Sequence, residues 1–418
     1  MMNFKKISVI GLGYIGLPTA GLFASKKIKV VGIDVDKDIV KIINKGKVHI
    51  VEPDLEKIVH SAVKKNYLIA TTKPEPAEAF LIAVPTPFKG KKFEPDLSFI
   101  KAATESISKV IKKGDLIVLE STSPVGTTEK IAKWLSNIRK DLTFPHTHKE
   151  KADINIAYCP ERVMPGNVIN ELVENDRVIG GISSACSNRA LELYKNFVKG
   201  ECIITNAKTA EMVKLTENAS RDVQLAFANE LSIICDNLNI DVWELITLAN
   251  RHPRVNILNP GPGVGGHCIA VDPWFIVSKN PIDSKIIKLS REINDKKPDW
   301  VYNKVKIAIA EYLKDQESKK NNKVTVACYG LTFKANIDDL RESPAVEIVR
   351  KIAKKHEGKV LVIEPHIKIL PKSLKNVELC DFNFAQNNAD VHVLLVDHEE
   401  FKKVSPKFKF MVDTRGIW

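Results

Sequence analysis

The chain begins with short, unbroken apolar runs, most of them closed by Gly, Pro, Ser or Thr. They are ISVIGL from Ile7, KVVGIDV from Lys29, AFLIAVPTP from Ala79, DLIVLEST from Asp115, INIAYCP from Ile154 and RVIGG from Arg177. Runs without polar alternation mark strands buried on both faces. The segments between them, such as the one after Gly16, carry helical spacing. Strand and helix taking turns in this way predict a doubly wound α/β layer built on a parallel sheet.

The pattern changes at Asn206. From there to Leu238 neither Gly nor Pro occurs, and apolar residues recur at spacings of three and four, which predicts one long helix. DVWELITLANR continues the helical character, and it resumes from about Pro281 to Lys314. The polar stretch DQESKKNNK reads as a linker. Beyond it α/β alternation restarts, with KVTVACYGL, KVLVIEP and ADVHVLLVD as strands and SPAVEIVRKIAKK as a helix. The expected division is residues 1–205 as a Rossmann-like domain, 206–314 as a helical middle and 322–418 as a smaller α/β domain.

Composition narrows the class. The 418 residues are 44% hydrophobic and 27% charged, ordinary for a globular chain. The apolar run near the start is far shorter than the ~20 residues that span a bilayer, so it reads as a strand. Seven cysteines are scattered without a CxxC pair, which argues against a zinc site or redox dithiol. An odd count without a secretory signal points to reduced thiols in the cytoplasm. The net charge of +12 is spread along the chain, with no Lys/Arg block interleaved with aromatics. That favours a solvated basic surface with pockets for an acidic substrate over nucleic-acid binding.

Three segments carry chemistry. GLGYIG places Gly11, Gly13 and Gly16 between a strand and a helix, and Asp34 ends the next strand. This is the dinucleotide fingerprint: a tight turn, close backbone approach to a pyrophosphate, and helix packing on the strand. Asp34 would bond ribose hydroxyls and repel a 2′-phosphate, so NAD is favoured over NADP. In KLTENASRD, Lys214, Asn218 and Arg221 share one helical face. That face can hold an oxyanion and move a proton, or it is a solvated polar stripe. In PGPGVGGHCIAVDPW, Cys268 sits on a glycine-rich bend just ahead of a predicted helix, with Asp272 four residues on. A thiol presented in this way can act as a nucleophile, or it is a small residue packed in a tight loop.

Taken in order, GLGYIG with its Asp, STSPVGTTEK, PERVMPG, AEMVKLTEN, PGPGVGGHCIAVDPW and FKANIDDLRESP closely resemble the UDP-glucose/GDP-mannose dehydrogenase family over essentially the whole chain. NRHPRVNI and GGHCIAVDPWF look like the branch acting on UDP-N-acetyl-D-mannosamine. The UDP-glucose branch usually has Ser before the cysteine and PKD after it; here His267 and Val271 depart from that pattern.

The resemblance implies oxidation of a nucleotide sugar at C6 to its uronic acid with two NAD. Cys268 would be the nucleophile and Lys214 the proton donor and acceptor. Asn218 would help hold the oxyanion. Asp272 and Glu161 would order the hydrolytic water, with Thr122 nearby. Tyr14, Ile15, Asp34, Thr86 and Thr128 would line the NAD site with the glycines, joined by Arg341. Arg162, Val163, Arg221, His252, Arg254, Gly265, Phe333, Lys334 and Arg415 would bind the substrate, with Lys214 and Asn218. Arginine forks suit phosphate oxygens. The family also implies a homodimer built on the long helix, with a partner's HPR loop completing the sugar site. Competing readings are a different nucleotide sugar (UDP-glucose, UDP-N-acetylglucosamine or GDP-mannose), a two-electron hydroxyacid dehydrogenase, and an inactive nucleotide-binding scaffold.

Overall fold

The computed structural model of the chain describes residues 4–89, 93–163, 166–266, 268–316, 323–404 and 406–418. The chain divides into two compact units, Met1–Thr216 and Glu217–Trp418. The long helix Ala207–Leu238 contributes residues to both units. The helix Lys285–Asp315 places Val301, Val305 and Ala308 in the same apolar cluster as Val326, Val360 and Val391 of the second sheet. That helix and the second sheet therefore share one core. Residues 317–322 of the expected linker lie outside the described residues.

The first unit carries an eight-stranded sheet. Its order is Cys202–Asn206, Arg177–Gly181, Asn155–Tyr158, Leu116–Leu119, Ala79–Ile82, Lys6–Ile10, Lys29–Ile33, Leu68–Thr71. The alternation of side chains along each strand divides the apolar runs between two cores. Ile7, Val9 and Val30 enter one cluster, and Ile10, Val31, Ile33, Phe80 and Ile82 the other. All neighbours are parallel except one pair. Arg177–Gly181 runs antiparallel to Asn155–Tyr158, while Cys202–Asn206 runs parallel to Arg177–Gly181. The last two strands therefore reverse the direction that sequence alternation predicts, because pairing direction is set by the connection and not by apolar content.

The second unit carries a five-stranded parallel sheet in the order Glu378–Leu379, Val360–Ile363, Val326–Tyr329, Val391–Leu394, Met411–Asp413. Val326, Cys328, Val360 and Val362 face one core, and Ala327, Tyr329, Leu361 and Ile363 the other.

Candidate active site

In the first unit the glycine turn is built for close approach. Gly11 has φ +92°, and a Cβ there would lie 2.4 Å from the Ala83 carbonyl oxygen. A Cβ on Gly16 would lie 1.8 Å from the Gly11 oxygen, so only glycine lets the helix Gly16–Ser25 seat against the turn. Gly13 has nothing within 4 Å of its Cβ position, leaving its backbone open. Ile15 caps that helix without a side-chain bond; Leu17 donates to the Gly13 carbonyl and Pro18 has no N–H, so no side chain of the turn competes for the helix start. Asp34 accepts the Leu12 N–H at 3.0 Å and the Asp36 N–H at 3.0 Å, one on each carboxylate oxygen. A carboxylate offers about four acceptor sites, so further capacity remains for ribose hydroxyls. Tyr14 packs partly buried against the first core. These residues fit a dinucleotide.

Other predicted residues of this unit fall in two groups. The Thr86 hydroxyl donates to the Thr122 carbonyl at 2.5 Å, bringing those two together. Glu161 is 7% exposed; one oxygen accepts the Arg162 N–H at 2.7 Å and the other accepts Arg177 Nη2 at 2.9 Å. The Arg162 guanidinium donates to the Asp176 carbonyl, and Val163 packs on the first core. Thr128, by contrast, is fully buried, and its hydroxyl donates to Glu211 at 2.6 Å. Glu211 also accepts the N–H groups of Gly126 and Thr128. It ties the STSPVGTTEK loop to the long helix, and burial pushes its pKa up against those hydrogen bonds. The Thr128 hydroxyl thus commits its one proton to Glu211 and keeps its acceptor lone pairs. Glu52 holds the backbone after PERVM, accepting from Gly166 and Val168. Lys214 is half-buried, with no ion-pair or hydrogen-bond partner among the described residues, one turn before Asn218 on the same helix.

In the second unit, Cys268 is half-buried and its carbonyl accepts the N–H groups of Val271 and Asp272. Asp272 opens the helix Asp272–Lys279, is 3% exposed, and accepts Asn218 Nδ2 at 2.5 Å. The acid and the amide therefore meet at the N-terminus of that helix, and the Cys268 backbone closes the turn that leads into it. His267 lies outside the described residues.

The glycines before the thiol answer to packing. A Cβ on Gly265 would sit 2.6 Å from the Glu342 oxygen and 2.8 Å from Phe333 Cβ; one on Gly266, at φ +81°, would sit 2.9 Å from the Phe333 ring. A Cβ on Gly261 would sit 2.6 Å from Arg415 Nη1. Gly265, Phe333 and Arg415 are thus neighbours of one loop. Arg415 is held by Asp397, and Lys334 is exposed. The Arg341 guanidinium pairs with Asp339 while its carbonyl accepts the Gly266 N–H. Arg221, His252 and Arg254 are exposed, and His252 accepts the Arg254 N–H.

A buried polar network beneath the loop escaped the sequence reading. Asn229 accepts the Gly261 N–H at 2.9 Å and donates to Asn294 at 2.9 Å. Asn294 donates to Asp222, which pairs with Arg291, the side chains of that pair being 0% and 1% exposed. Asp222 and Asn229 lie seven apart on the long helix, one face of it. Their signal was polar residues where helical spacing demands core.

Models of the UDP-glucose/GDP-mannose dehydrogenase family match the NAD-binding domain at residues 5–198, the central domain at 208–296 and the UDP-binding domain at 327–418. The chain is 60% identical over 421 aligned positions to a UDP-N-acetyl-D-mannosamine dehydrogenase of Yersinia pestis, covering 100% of both. It is 57% identical to an NDP-N-acetyl-D-galactosaminuronic acid dehydrogenase of Ralstonia nicotianae, covering 100% of this chain and 97% of that one. Among solved structures, UDP-D-ManNAc dehydrogenase of Pyrococcus horikoshii superposes with a TM-score of 0.86 at 38% identity, covering 99% of this chain and 96% of that one.

Proposed function

The chain belongs to the UDP-glucose/GDP-mannose dehydrogenase family and is an NAD-dependent nucleotide-sugar dehydrogenase, and from that premise we propose that it oxidises C6 of UDP-N-acetyl-D-mannosamine to the uronic acid through a covalent bond to Cys268. The observation that carries this reading is the thiol of Cys268 set four residues before Asp272, whose carboxylate is held by Asn218. Residues 1–205 hold the dinucleotide, 206–314 carry the thiol and its partners, and 322–418 hold the UDP.

NAD, held by Gly11, Gly13, Tyr14, Ile15, Gly16, Asp34 and Thr86, supplies the hydride acceptor for both oxidations. The chain's own groups do the rest. Lys214 takes the proton of the C6 hydroxyl as the first hydride leaves, giving the aldehyde. The Cys268 sulfur adds to that carbonyl, and Asn218 and Lys214 donate to its oxygen. Loss of the second hydride and one proton leaves a thioester. Glu161, Asp272 and Thr122 order the water that releases the acid and restores the thiol. Two hydrides and three protons leave for each carboxylate formed. Arg162, Arg221, His252, Arg254, Lys334 and Arg415 neutralise the diphosphate, while Val163, Gly265 and Phe333 shape the nucleotide-sugar pocket. Arg341 serves the cofactor.

A homodimer fits the long helix. Phe227, Leu231, Ile234 and Leu238 form a stripe at spacings of four, three and four, and Phe227, Ile234 and Leu238 are 51%, 45% and 62% exposed. The exposed His252–Arg254 turn is then available to complete a partner's site. Seven free cysteines suit the cytoplasm, and no helix among the described residues is long and apolar enough to cross a membrane.

The Ralstonia relative favours a second reading, the same chemistry on an N-acetyl-galacto sugar nucleotide. Incubating the protein with NAD and each of UDP-N-acetylmannosamine, UDP-N-acetylgalactosamine, UDP-N-acetylglucosamine and UDP-glucose tests both. Two NADH per acid with the manno sugar is expected. One NADH per product rejects the four-electron chemistry, and faster turnover of another sugar reassigns the substrate.

A further inference from the structure

Behind Glu161 the first unit buries a charge cluster that the proposed chemistry does not use. Arg177, the first residue of its strand, is 3% exposed. One Nη donates to Glu161 at 2.9 Å, and the other lies 3.8 Å from the Cys159 sulfur. The guanidinium carbon stands 4.8 Å from the Tyr194 ring centre and 5.5 Å from that of Phe197. Across this cation sits Glu120, 2% exposed, accepting the Tyr194 hydroxyl at 2.6 Å. Its second oxygen and the Arg177 Nε have no hydrogen-bond partner among the described residues.

Such a cluster is a poor stabiliser. Burying ions costs solvation that pairing only partly returns, and apolar residues of similar volume often replace buried pairs without loss. Orphaned buried polar atoms cost more still. What the cluster does achieve is orientation. The Glu161 carboxylate is gripped by Arg177 on one oxygen and by a backbone N–H on the other. Aromatic rings on the guanidinium fix the plane from which Arg177 reaches. Two acceptor directions are thereby fixed, and the remaining lone pairs of Glu161 can aim in only one way.

We propose that Arg177 is the positioning residue of the hydrolytic step, locking the Glu161 carboxylate so that its unused lone pairs hold the attacking water in a single orientation. This rests on the reading of Glu161 as a water-ordering residue. In that step the water oxygen bonds to the acyl carbon and the carbon–sulfur bond breaks. One water proton passes to sulfur, and the nascent acid releases the other to solvent. Arg177 touches neither water nor substrate; it acts through Glu161. The two hydride departures precede the step and do not depend on it.

The experiment uses the full-length protein with NAD and whichever nucleotide sugar it turns over best. Rapid mixing follows NADH, and intact-mass measurement follows an acyl adduct on Cys268. Glu161→Gln, Arg177→Met and Arg177→Lys are compared with the unmodified protein. The expected result for Arg177→Met is a retained burst of two NADH per active site and accumulation of the acyl adduct. Its steady-state rate falls by about 10²-fold, the order expected for a misplaced reacting group, and KM falls with it so that kcat/KM holds, because the steps before hydrolysis are untouched. Arg177→Lys, which keeps the charge and loses the fork, should accumulate less adduct. If Arg177→Met does not fold, Arg177→Lys is read alone, and unmodified turnover in it overturns the proposal. Because the burst counts only competent sites, a purely structural role would lower burst and steady rate together without adduct, and that outcome overturns the proposal. Adduct in Glu161→Gln but not in the Arg177 variants also overturns it. No adduct in Glu161→Gln brings down the reading of Glu161 itself.

Discussion

Replacing Glu120 by Gln isolates the cost of the buried acid beside Arg177. Burial pushes the Glu120 carboxyl from an ordinary 4.5 up to about 7, opposed by the Arg177 charge and the Tyr194 hydroxyl and reinforced by Glu161. The native state therefore resists ionising a group that the unfolded chain ionises freely. Below pH 4.5 the acid is neutral in both states and costs nothing. As pH rises from there to about 7 the unfolded state gains by losing its proton, and native stability falls; above about 7 the loss is complete. Each tenfold change in proton affinity is worth about 1.4 kcal/mol, so the whole penalty is about 3 kcal/mol.

Glutamine has the same shape, still accepts the Tyr194 hydroxyl through its carbonyl, and never ionises. Any cost of its unpartnered amide is independent of pH and cancels in a comparison of two pH values. Relative to the unmodified chain, Glu120→Gln should thus become more stable by about 2–3 kcal/mol between pH 5 and pH 8. Urea denaturation of the full chain at both pH values, followed by circular dichroism, measures the difference. A stability difference that is the same at pH 5 and pH 8, or that shifts against the variant on raising the pH, refutes the reasoning.

Cys268→Ala should form no uronic acid with any nucleotide sugar while still binding NAD, as judged by product chromatography beside calorimetric titration. Gly265→Ala places a methyl 2.6 Å from a backbone oxygen and 2.8 Å from Phe333 Cβ. An overpacking cost of about 1–3 kcal/mol follows, and KM for the nucleotide sugar should rise while NAD affinity holds. His392 is buried, stacked 3.5 Å from Phe408, and burial lowers its pKa from 6.5 to about 4. Its neutral form contributes stability above pH 6.5 that is lost as pH falls towards 4. In urea melts, His392→Phe should therefore be less harmful at pH 4.5 than at pH 7.5.

Much of this was legible in the chain. Unbroken runs such as AFLI and LIVL announced strands covered on both faces, and the gap without Gly or Pro announced the helix Ala207–Leu238. Residue order put Asp272 four places after Cys268, but only the fold shows Asn218 arriving from a helix 54 positions away in sequence to hold it. Tertiary pairings of this kind leave no periodicity. The reversed strand Arg177–Gly181 left none either, since RVIGG reads the same in both directions of pairing. The partner of Thr128 was hidden for a related reason. Its hydroxyl donates to Glu211, which sequence gives no cause to place there.

The two sheets carry the same turn put to different ends. Gly11 and Gly330 both stand at φ +92°, and each N–H reaches the carbonyl of the last residue of the neighbouring strand at 2.8 Å. The next residue in each case donates to an acid just past that strand, Leu12 to Asp34 and Leu331 to Glu364. After Gly11 come Gly13 and Gly16, and a helix starts at once. After Gly330 come Thr332 and Phe333, and the next helix waits until Pro344. Asp34 is half-exposed with two backbone donors. Glu364 is 6% exposed and takes the N–H groups of Leu331, Thr332 and His366 as well as His398 Nε2, whose other nitrogen accepts the Asn336 N–H. Three of these donors crowd one oxygen and one takes the other, and the acid is buried, so Glu364 is far less open to a ribose than Asp34. The second turn is therefore the more closed of the two, and Phe333, Lys334 and Arg415 line a cleft together with Pro262 and Gly263 of the loop that leads to the thiol.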